Sequence, residues 1–205
     1  MNSPILWAAA GTGFTFLMTA FGASLVFFFR KNINPTTQRV FLGFAAGVMT
    51  AASVWSLLIP AIEEAQASGG TGLVPAAGGF VLGVVFLLLM DHVMPHLHLG
   101  EKQPEGPHCA WQRTTLLVLA VTLHNIPEGM AVGLSFAMAA QHGGDSASMA
   151  AAMALALGMG IQNFPEGAAV SLPLRQGGVS SMKAFLMGSL SGIVGLIFGV
   201  LVVVV

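Results

Sequence analysis

Charged residues are scarce in this chain: they make up 7 % of its 205 residues, against about 25 % in soluble globular domains. A soluble fold of this composition would have too few polar side chains to cover its core. Tyrosine is absent, and the single cysteine, Cys109, permits no disulfide within the chain. With seven Lys and Arg against eight Asp and Glu, there is no basic surface, so nucleic acid is not an expected partner.

Long apolar runs take the place of the missing polar residues. The chain is 55 % apolar and its mean hydropathy is +0.83. Six runs of about 20 residues or more are long enough to cross roughly 30 Å of lipid hydrocarbon. We therefore predict an all-α fold, a polytopic membrane helix bundle that forms a single transmembrane domain over 1–205 in the lipid bilayer. The predicted spanning helices are 5–29, 39–62, 73–91, 114–138, 147–173 and 184–205.

The distribution of basic residues predicts the orientation in the membrane. All seven lie in the first, third and fifth connections or at their edges, whereas the second and fourth connections contain no Lys or Arg. Because basic loops stay in the cytoplasm, the odd connections are predicted to be cytoplasmic and the N-terminus to lie outside. The basic residues are Arg30, Lys31, Arg39, Lys102, Arg113, Arg175 and Lys183.

Small residues in the early segments predict close helix packing. The second segment carries Gly43 and Gly47, and the third carries Gly79 and Gly83, each pair four residues apart. Such pairs let the backbones of membrane helices approach each other. The first segment has no polar anchor, so we interpret it as scaffold.

The third connection, 92–113, contains four histidines. Histidine-rich tracts bind divalent metals loosely, but four histidines are a modest enrichment. A metal-binding loop and an ordinary solvated loop therefore both stay open as interpretations. The residues are His92, His96, His98 and His108.

One motif occurs twice, as Leu-His-Asn-Ile-Pro-Glu-Gly at 123–129 and as Ile-Gln-Asn-Phe-Pro-Glu-Gly at 161–167. The two copies hold the only ionisable side chains predicted at membrane depth, which are His124, Glu128 and Glu166. A carboxylate at that depth costs several kcal/mol unless it is paired or bound to a metal. Two copies of such a motif predict a functional site.

Helical spacing predicts how these side chains meet. His124 and Glu128 are four residues apart and share one helix face. Because the two predicted helices run in opposite directions, Glu128 and Glu166 are expected to face each other. Two close carboxylates repel unless they share a proton or a divalent cation. The prolines of the motifs, Pro127 and Pro165, are expected to bend the helices.

The residue types favour an exchangeable metal site. Carboxylate with imidazole suits zinc, iron and manganese, and the absence of thiolate argues against a permanent structural zinc site. Other interpretations stay open for single residues. Asn125 and Asn163 would serve as hydrogen-bonded cross-links between helices, Met49 would pack in the core, and His124 with the two glutamates would form a proton relay.

The paired motifs HNIPEG and QNFPEG resemble the fourth and fifth helices of the ZIP family of divalent-metal transporters, in particular its bacterial GufA-type branch. The stretch Gly-Phe-Ala-Ala-Gly-Val-Met-Thr-Ala-Ala-Ser at 43–53 is similar to that family's second helix. The resemblance implies a non-enzymatic importer of Zn²⁺, or of Cd²⁺, Fe²⁺ or Mn²⁺, in the bacterial inner membrane. It also implies that helices one, four, five and six move against the others, often in a homodimer, and it implies no cofactor.

The resemblance also implies two neighbouring metal ions. The second ion would share Glu128 and Glu166 with the first and would add Asn125 and Asn163. The sixth segment departs from the family pattern Ser-Gly-x-x-Glu-Pro, because it has Gly195 and Leu196 in place of Glu and Pro. We therefore predict that one ion binds well and a second weakly or not at all. The implied ligands of the first ion are Met49, His124, Glu128, Gln162 and Glu166.

Two alternatives to transport follow from the same residues. The family has more spanning helices than the six predicted here, so the chain is expected to be truncated, and a non-transporting metal sensor or subunit stays open. An intramembrane metal-dependent hydrolase would need further strong ligands, as in His-Glu-x-x-His. Only His124 is predicted at membrane depth, which disfavours the hydrolase.

Overall fold

The computed structural model describes residues 4–29, 34–93 and 113–204. The all-α prediction is confirmed in these ranges. Most of the predicted His-containing loop, with His96, His98, His108 and Cys109, lies outside them. The helices are α1 (Pro4–Ala23, with a 3₁₀ turn Ser24–Phe27), α2 (Pro35–Ala51), a π-helical segment (Ala52–Leu58), α3 (Ile59–Ala67), α4 (Leu73–Val93), α5 (Arg113–Gln141), α6 (Ser146–Gln176), α7 (Ser181–Leu190) and α8 (Ile193–Val204).

Four helical stretches of the described chain are long and apolar enough to cross a membrane, which is what a multi-pass membrane protein requires. In α4 the apolar run, Leu73–Leu89, is shorter. The helix α5 has 29 residues but carries the polar first motif. The crossing of the membrane by α4 and α5 therefore stays a prediction. The four stretches are Pro4–Phe27, Ala46–Ala67, Ser146–Gln176 and Ser181–Val204.

Two predicted helices are not regular along their length. The predicted helix 39–62 contains the π-helical segment, where the Ile59 amide bonds the Val54 carbonyl five residues back. Pro60 follows and has no amide hydrogen to donate to the carbonyl four residues before it, which disfavours a regular α-turn there. The predicted helix 184–205 is interrupted between α7 and α8, at Ser191 and Gly192. By contrast, α5 and α6 continue as helices through Pro127 and Pro165.

Helices α1, α5, α6, α7 and α8 form a close bundle that depends on glycine. A Cβ atom added to Gly129 would overlap the carbonyl oxygen of Gly195, and one added to Gly133 would overlap that of Gly199. Because both pairs are spaced by four residues, α5 and α8 meet backbone to backbone along one face of each helix. The helix α1 meets α6 just as closely.

The glycine pairs singled out in the sequence make no such contacts with the part of the chain that the structure describes. No atom of the described residues lies within 4 Å of a Cβ added to Gly43, Gly47, Gly79 or Gly83. That prediction is wrong for the described chain. The helix α4 packs mainly on α3, and its apolar side chains from Leu73 to Leu89 are largely exposed.

The apolar core consists of two clusters with a polar layer between them. One cluster includes Ala8, Val132 and Leu155, and the other includes Val26 and Leu174. The segments of α1, α5 and α6 that connect the two clusters carry six of the nine buried polar side chains of the described residues. They are Thr12, Thr15, Thr19, Asn125, Gln162 and Asn163.

At the end of the bundle that is predicted to lie outside, the turn between α5 and α6 bonds to α3. His142 Nε2 lies 3.2 Å from Glu64 Oε2, and His142 Nδ1 lies 2.9 Å from the Met138 carbonyl oxygen. That carbonyl raises the pKa of His142 above its ordinary value of 6.5, and Glu64 and Asp145 add to the effect. The His142–Glu64 pair therefore stabilises the fold fully at a pH below 6.5, where the imidazole is charged. This stabilisation is lost as the pH rises through the raised pKa of His142.

We expect Glu64→Gln to lower the pKa of His142, because the substitution removes the carboxylate nearest the ring. Titration of histidine by NMR in lipid nanodiscs measures this directly. The matched control is Glu63→Gln, which removes the neighbouring exposed carboxylate and should change the pKa less. An identical His142 pKa in the native protein and in Glu64→Gln would contradict the pairing.

Candidate metal site

The two copies of the motif are cross-linked reciprocally between α5 and α6. Gln162 of the second copy donates through Nε2 to Glu128 Oε1 of the first. In return, Asn125 of the first copy donates through Nδ2 to Glu166 Oε1 of the second, at 3.3 Å. Each glutamate therefore accepts a hydrogen bond from an amide of the other motif, as expected for two antiparallel copies.

His124 approaches Glu128 from the margin of the bundle. Its Nε2 lies 3.3 Å from Glu128 Oε1, and the two residues are one helical turn apart. The imidazole is 42 % exposed, whereas the Glu128 side chain is 11 % exposed. The imidazole is thus the most accessible ligand candidate in the cluster, and the carboxylate lies deeper.

Asn125 connects three helical elements. Besides Glu166, its Nδ2 lies within hydrogen-bond distance of the Val121 carbonyl oxygen, at 3.0 Å, and of the Ser191 carbonyl oxygen, at 3.2 Å. The Ser191 carbonyl is at the interruption between α7 and α8, where the regular helical bonds end. The interpretation of Asn125 as a cross-link between helices is therefore supported by these contacts.

Thr15 of α1 belongs to the polar layer, although the first helix was predicted to be scaffold without a polar anchor. The Thr15 carbonyl accepts a hydrogen bond from Asn163 Nδ2 at 3.5 Å. The hydroxyls of Thr12, Thr15 and Thr19 return to carbonyls of their own helix, so their burial costs little. The three- and four-residue spacing of these threonines was the sequence signal that could have revealed this buried face.

Three buried oxygen atoms of the cluster lack a donor. No hydrogen-bond donor of the described residues reaches Glu128 Oε2, Gln162 Oε1 or Asn163 Oδ1. Leaving a buried polar atom without a partner costs roughly 1–3 kcal/mol. All three atoms are acceptors, so a cation or a hydrogen-bond donor such as water stabilises them, whereas a further acceptor would not. The residues present thus fit a cation.

The described side chains do not form a complete metal site by themselves. Within these ranges, no three His, Cys, Asp or Glu side chains are grouped closely enough to hold one ion. His124 and Glu128 are paired, whereas Glu166 is bonded to Asn125. Met49 is half-buried on α2, which packs on α6, and its role as a ligand stays a prediction.

Behind Glu128 lies a narrow cavity of about 10 Å³ between α1, α5, α6 and α8. Its polar lining comes from Thr15, Asn125, Glu128 and Asn163. Gly195 also lines it and contributes only backbone, at the position where a glutamate was missing from the family pattern.

Comparison with known proteins gives a consistent set of relatives. Zinc transporter ZIP11 from Homo sapiens is 37 % identical over an alignment of 277 residues that covers 97 % of this chain and 80 % of that protein. Zinc transporter GufA from Myxococcus xanthus is 38 % identical, with 83 % of this chain and 66 % of that protein covered. Zinc transporter ZIPB from Bordetella bronchiseptica is 40 % identical over 65 % of this chain. No family model matches the chain.

Proposed function

Because the chain belongs to the ZIP family, we propose that it carries Zn²⁺ or a divalent ion of similar chemistry across a bacterial inner membrane into the cytoplasm. Its relatives in that family are named zinc transporters. The observation that carries the proposal is the cluster that His124 and Glu128 of α5 form with Gln162 of α6, in which no described donor reaches Gln162 Oε1.

The ligand candidates have different roles in binding because they differ in exposure and charge. His124, the accessible imidazole, is the first group that an arriving ion meets. Glu128 and Glu166 supply two negative charges, which balance one divalent ion in a layer with little water. Gln162 offers Oε1 to the ion while its Nε2 stays bonded to Glu128, so binding need not break that bond.

Exchange of the ion requires that the site open to both sides of the membrane. The polar layer lies between two apolar clusters, which supports a site near the middle of the bundle. The close bundle of α1, α5, α6, α7 and α8 supports motion as one unit against α3 and α4, which contact it little, although α2 packs on α6. The orientation in the membrane rests on the basic residues of the odd connections. The import direction and the homodimer are implied by the family resemblance and stay predictions.

Zinc uptake by proteoliposomes tests the function. We expect Zn²⁺ to reach a fluorescent chelator inside vesicles that contain the protein, driven by the zinc gradient alone. Empty vesicles and vesicles with the Glu128→Ala and Glu166→Ala double variant serve as controls. Binding of zinc to the purified protein without flux would contradict transport and favour the sensor or subunit.

The same vesicles distinguish a transporter from a hydrolase. A transporter moves zinc into the vesicles, whereas a hydrolase would release a reaction product without any zinc flux. Of the described histidines, His92 and His142 lie at or beyond helix ends, and His124 alone lies in the polar layer. A hydrolase with two imidazole ligands at membrane depth is therefore not supported by the described residues.

A further inference from the structure

The cavity behind Glu128 is lined by Asn125, Glu128 and Asn163, three of the four residues that the family resemblance implies for a second metal ion. Its volume of about 10 Å³ is close to the smallest that holds one water molecule. Size alone does not distinguish a water molecule from a metal ion, so the lining groups and their charge must decide between them.

Two buried oxygen acceptors without a described donor belong to residues that line this cavity, and they come from different helices. Glu128 Oε1 is engaged by Gln162 and His124, which leaves Oε2 without a described donor. Asn163 is only 5 % exposed, and because its Nδ2 is directed to the Thr15 carbonyl, its Oδ1 is the free end of the amide. A water molecule has two hydrogens to donate, one for each of these oxygens.

The charge of the lining disfavours a divalent ion. Among the described residues, Glu128 is the only carboxylate that lines the cavity, and it already contributes to the site on the His124 side. Glu166 is not part of the lining, and Gly195 offers no side chain. One divalent ion with two glutamates is neutral, whereas two ions would leave an excess charge of about +2 whose desolvation costs several kcal/mol.

We propose that this cavity takes a water molecule bonded to Glu128 and Asn163, and that the protein consequently binds a single divalent ion, on the His124 side of Glu128. The inference rests on the proposed function, because it requires that first ion. The contact of Asn163 Nδ2 with the Thr15 carbonyl leaves the Oδ1 end of the amide for the water.

The number of bound ions tests the inference. Purified protein in lipid nanodiscs is titrated with Zn²⁺ by calorimetry, and the bound metal is counted after equilibrium dialysis. We expect one ion per chain, with any second ion at least about 100-fold weaker. Asn163→Asp adds a second carboxylate to the cavity and should raise the count to two with little change in the first affinity. The control Ser146→Asp adds the same charge at the exposed start of α6 and should leave the count at one.

Asn163 is the better position for this test than Gly195. A Cβ added to Gly195 would lie 3.1 Å from the Asn125 carbonyl oxygen, so a glutamate there requires the backbone of α5 or α8 to shift by a few tenths of an ångström.

The outcomes separate this inference from the proposed function. Two ions of similar affinity in the unmodified chain would overturn the inference and leave transport intact. Absence of any zinc binding would overturn both. If Asn163→Asp fails to fold, the count in the unmodified protein still decides, because it does not depend on the variant.

Discussion

We expect zinc uptake to fall to the level of empty vesicles when either Glu128 or Glu166 is replaced by alanine. Glu128 accepts from Gln162 and lies beside His124, and Glu166 accepts from Asn125, so both belong to the same partly buried hydrogen-bonded cluster. Loss of one carboxylate leaves a divalent ion with uncompensated charge in a layer with little water. Removing one partner of a buried charge pair costs roughly 3–5 kcal/mol, or about 100-fold or more in affinity.

The measurement is the initial rate of uptake together with zinc affinity in nanodiscs. Glu63→Ala is the matched control, since it removes an exposed carboxylate from α3 and should leave both quantities unchanged. His124→Ala should weaken binding less than either glutamate variant or change the metal preference, because a neutral ligand is lost. Native zinc affinity in the double glutamate variant would show that these carboxylates do not hold the ion.

The second large effect concerns the contact between α5 and α8. We expect Gly129→Ala and Gly133→Ala each to destabilise the protein by about 1–3 kcal/mol or more, as overpacked cores do. In both cases the added methyl group overlaps a backbone carbonyl, that of Gly195 or that of Gly199, and a backbone atom cannot move aside as a side chain can.

The loss of stability is measured by heating the protein in detergent and determining the fraction that stays folded by size-exclusion chromatography. The matched controls are Gly79→Ala and Gly83→Ala in α4, where the added methyl group meets no atom of the described residues within 4 Å. These controls should be neutral or slightly stabilising, because alanine favours a helix over glycine by about 1 kcal/mol. If the α5 variants and the α4 control variants lost the same stability, the close backbone contact between α5 and α8 would not be what makes Gly129 and Gly133 necessary.

Much of the candidate site could be predicted because its signal is local. The recurrence of Asn-x-Pro-Glu-Gly placed His124, Glu128 and Glu166 on helices, and helical spacing put His124 next to Glu128. The pairing of Glu128 with Gln162, and of Glu166 with Asn125, could not be predicted in this way. It depends on the axial register of α5 against α6, which no spacing within one helix encodes.

By itself, the sequence determined the apolar lengths that make helices and the two motifs whose polar groups are too costly to bury without a partner. The tertiary structure alone decided which glycines matter, because Gly79 and Gly129 look alike in sequence and differ only in what lies against them. It also decided that the last predicted helix is interrupted at Ser191, whose carbonyl meets Asn125, and that Thr15 belongs to the polar layer. Periodicity reports on one helix at a time, whereas a close approach or a hydrogen bond between helices depends on two surfaces that are far apart in the chain.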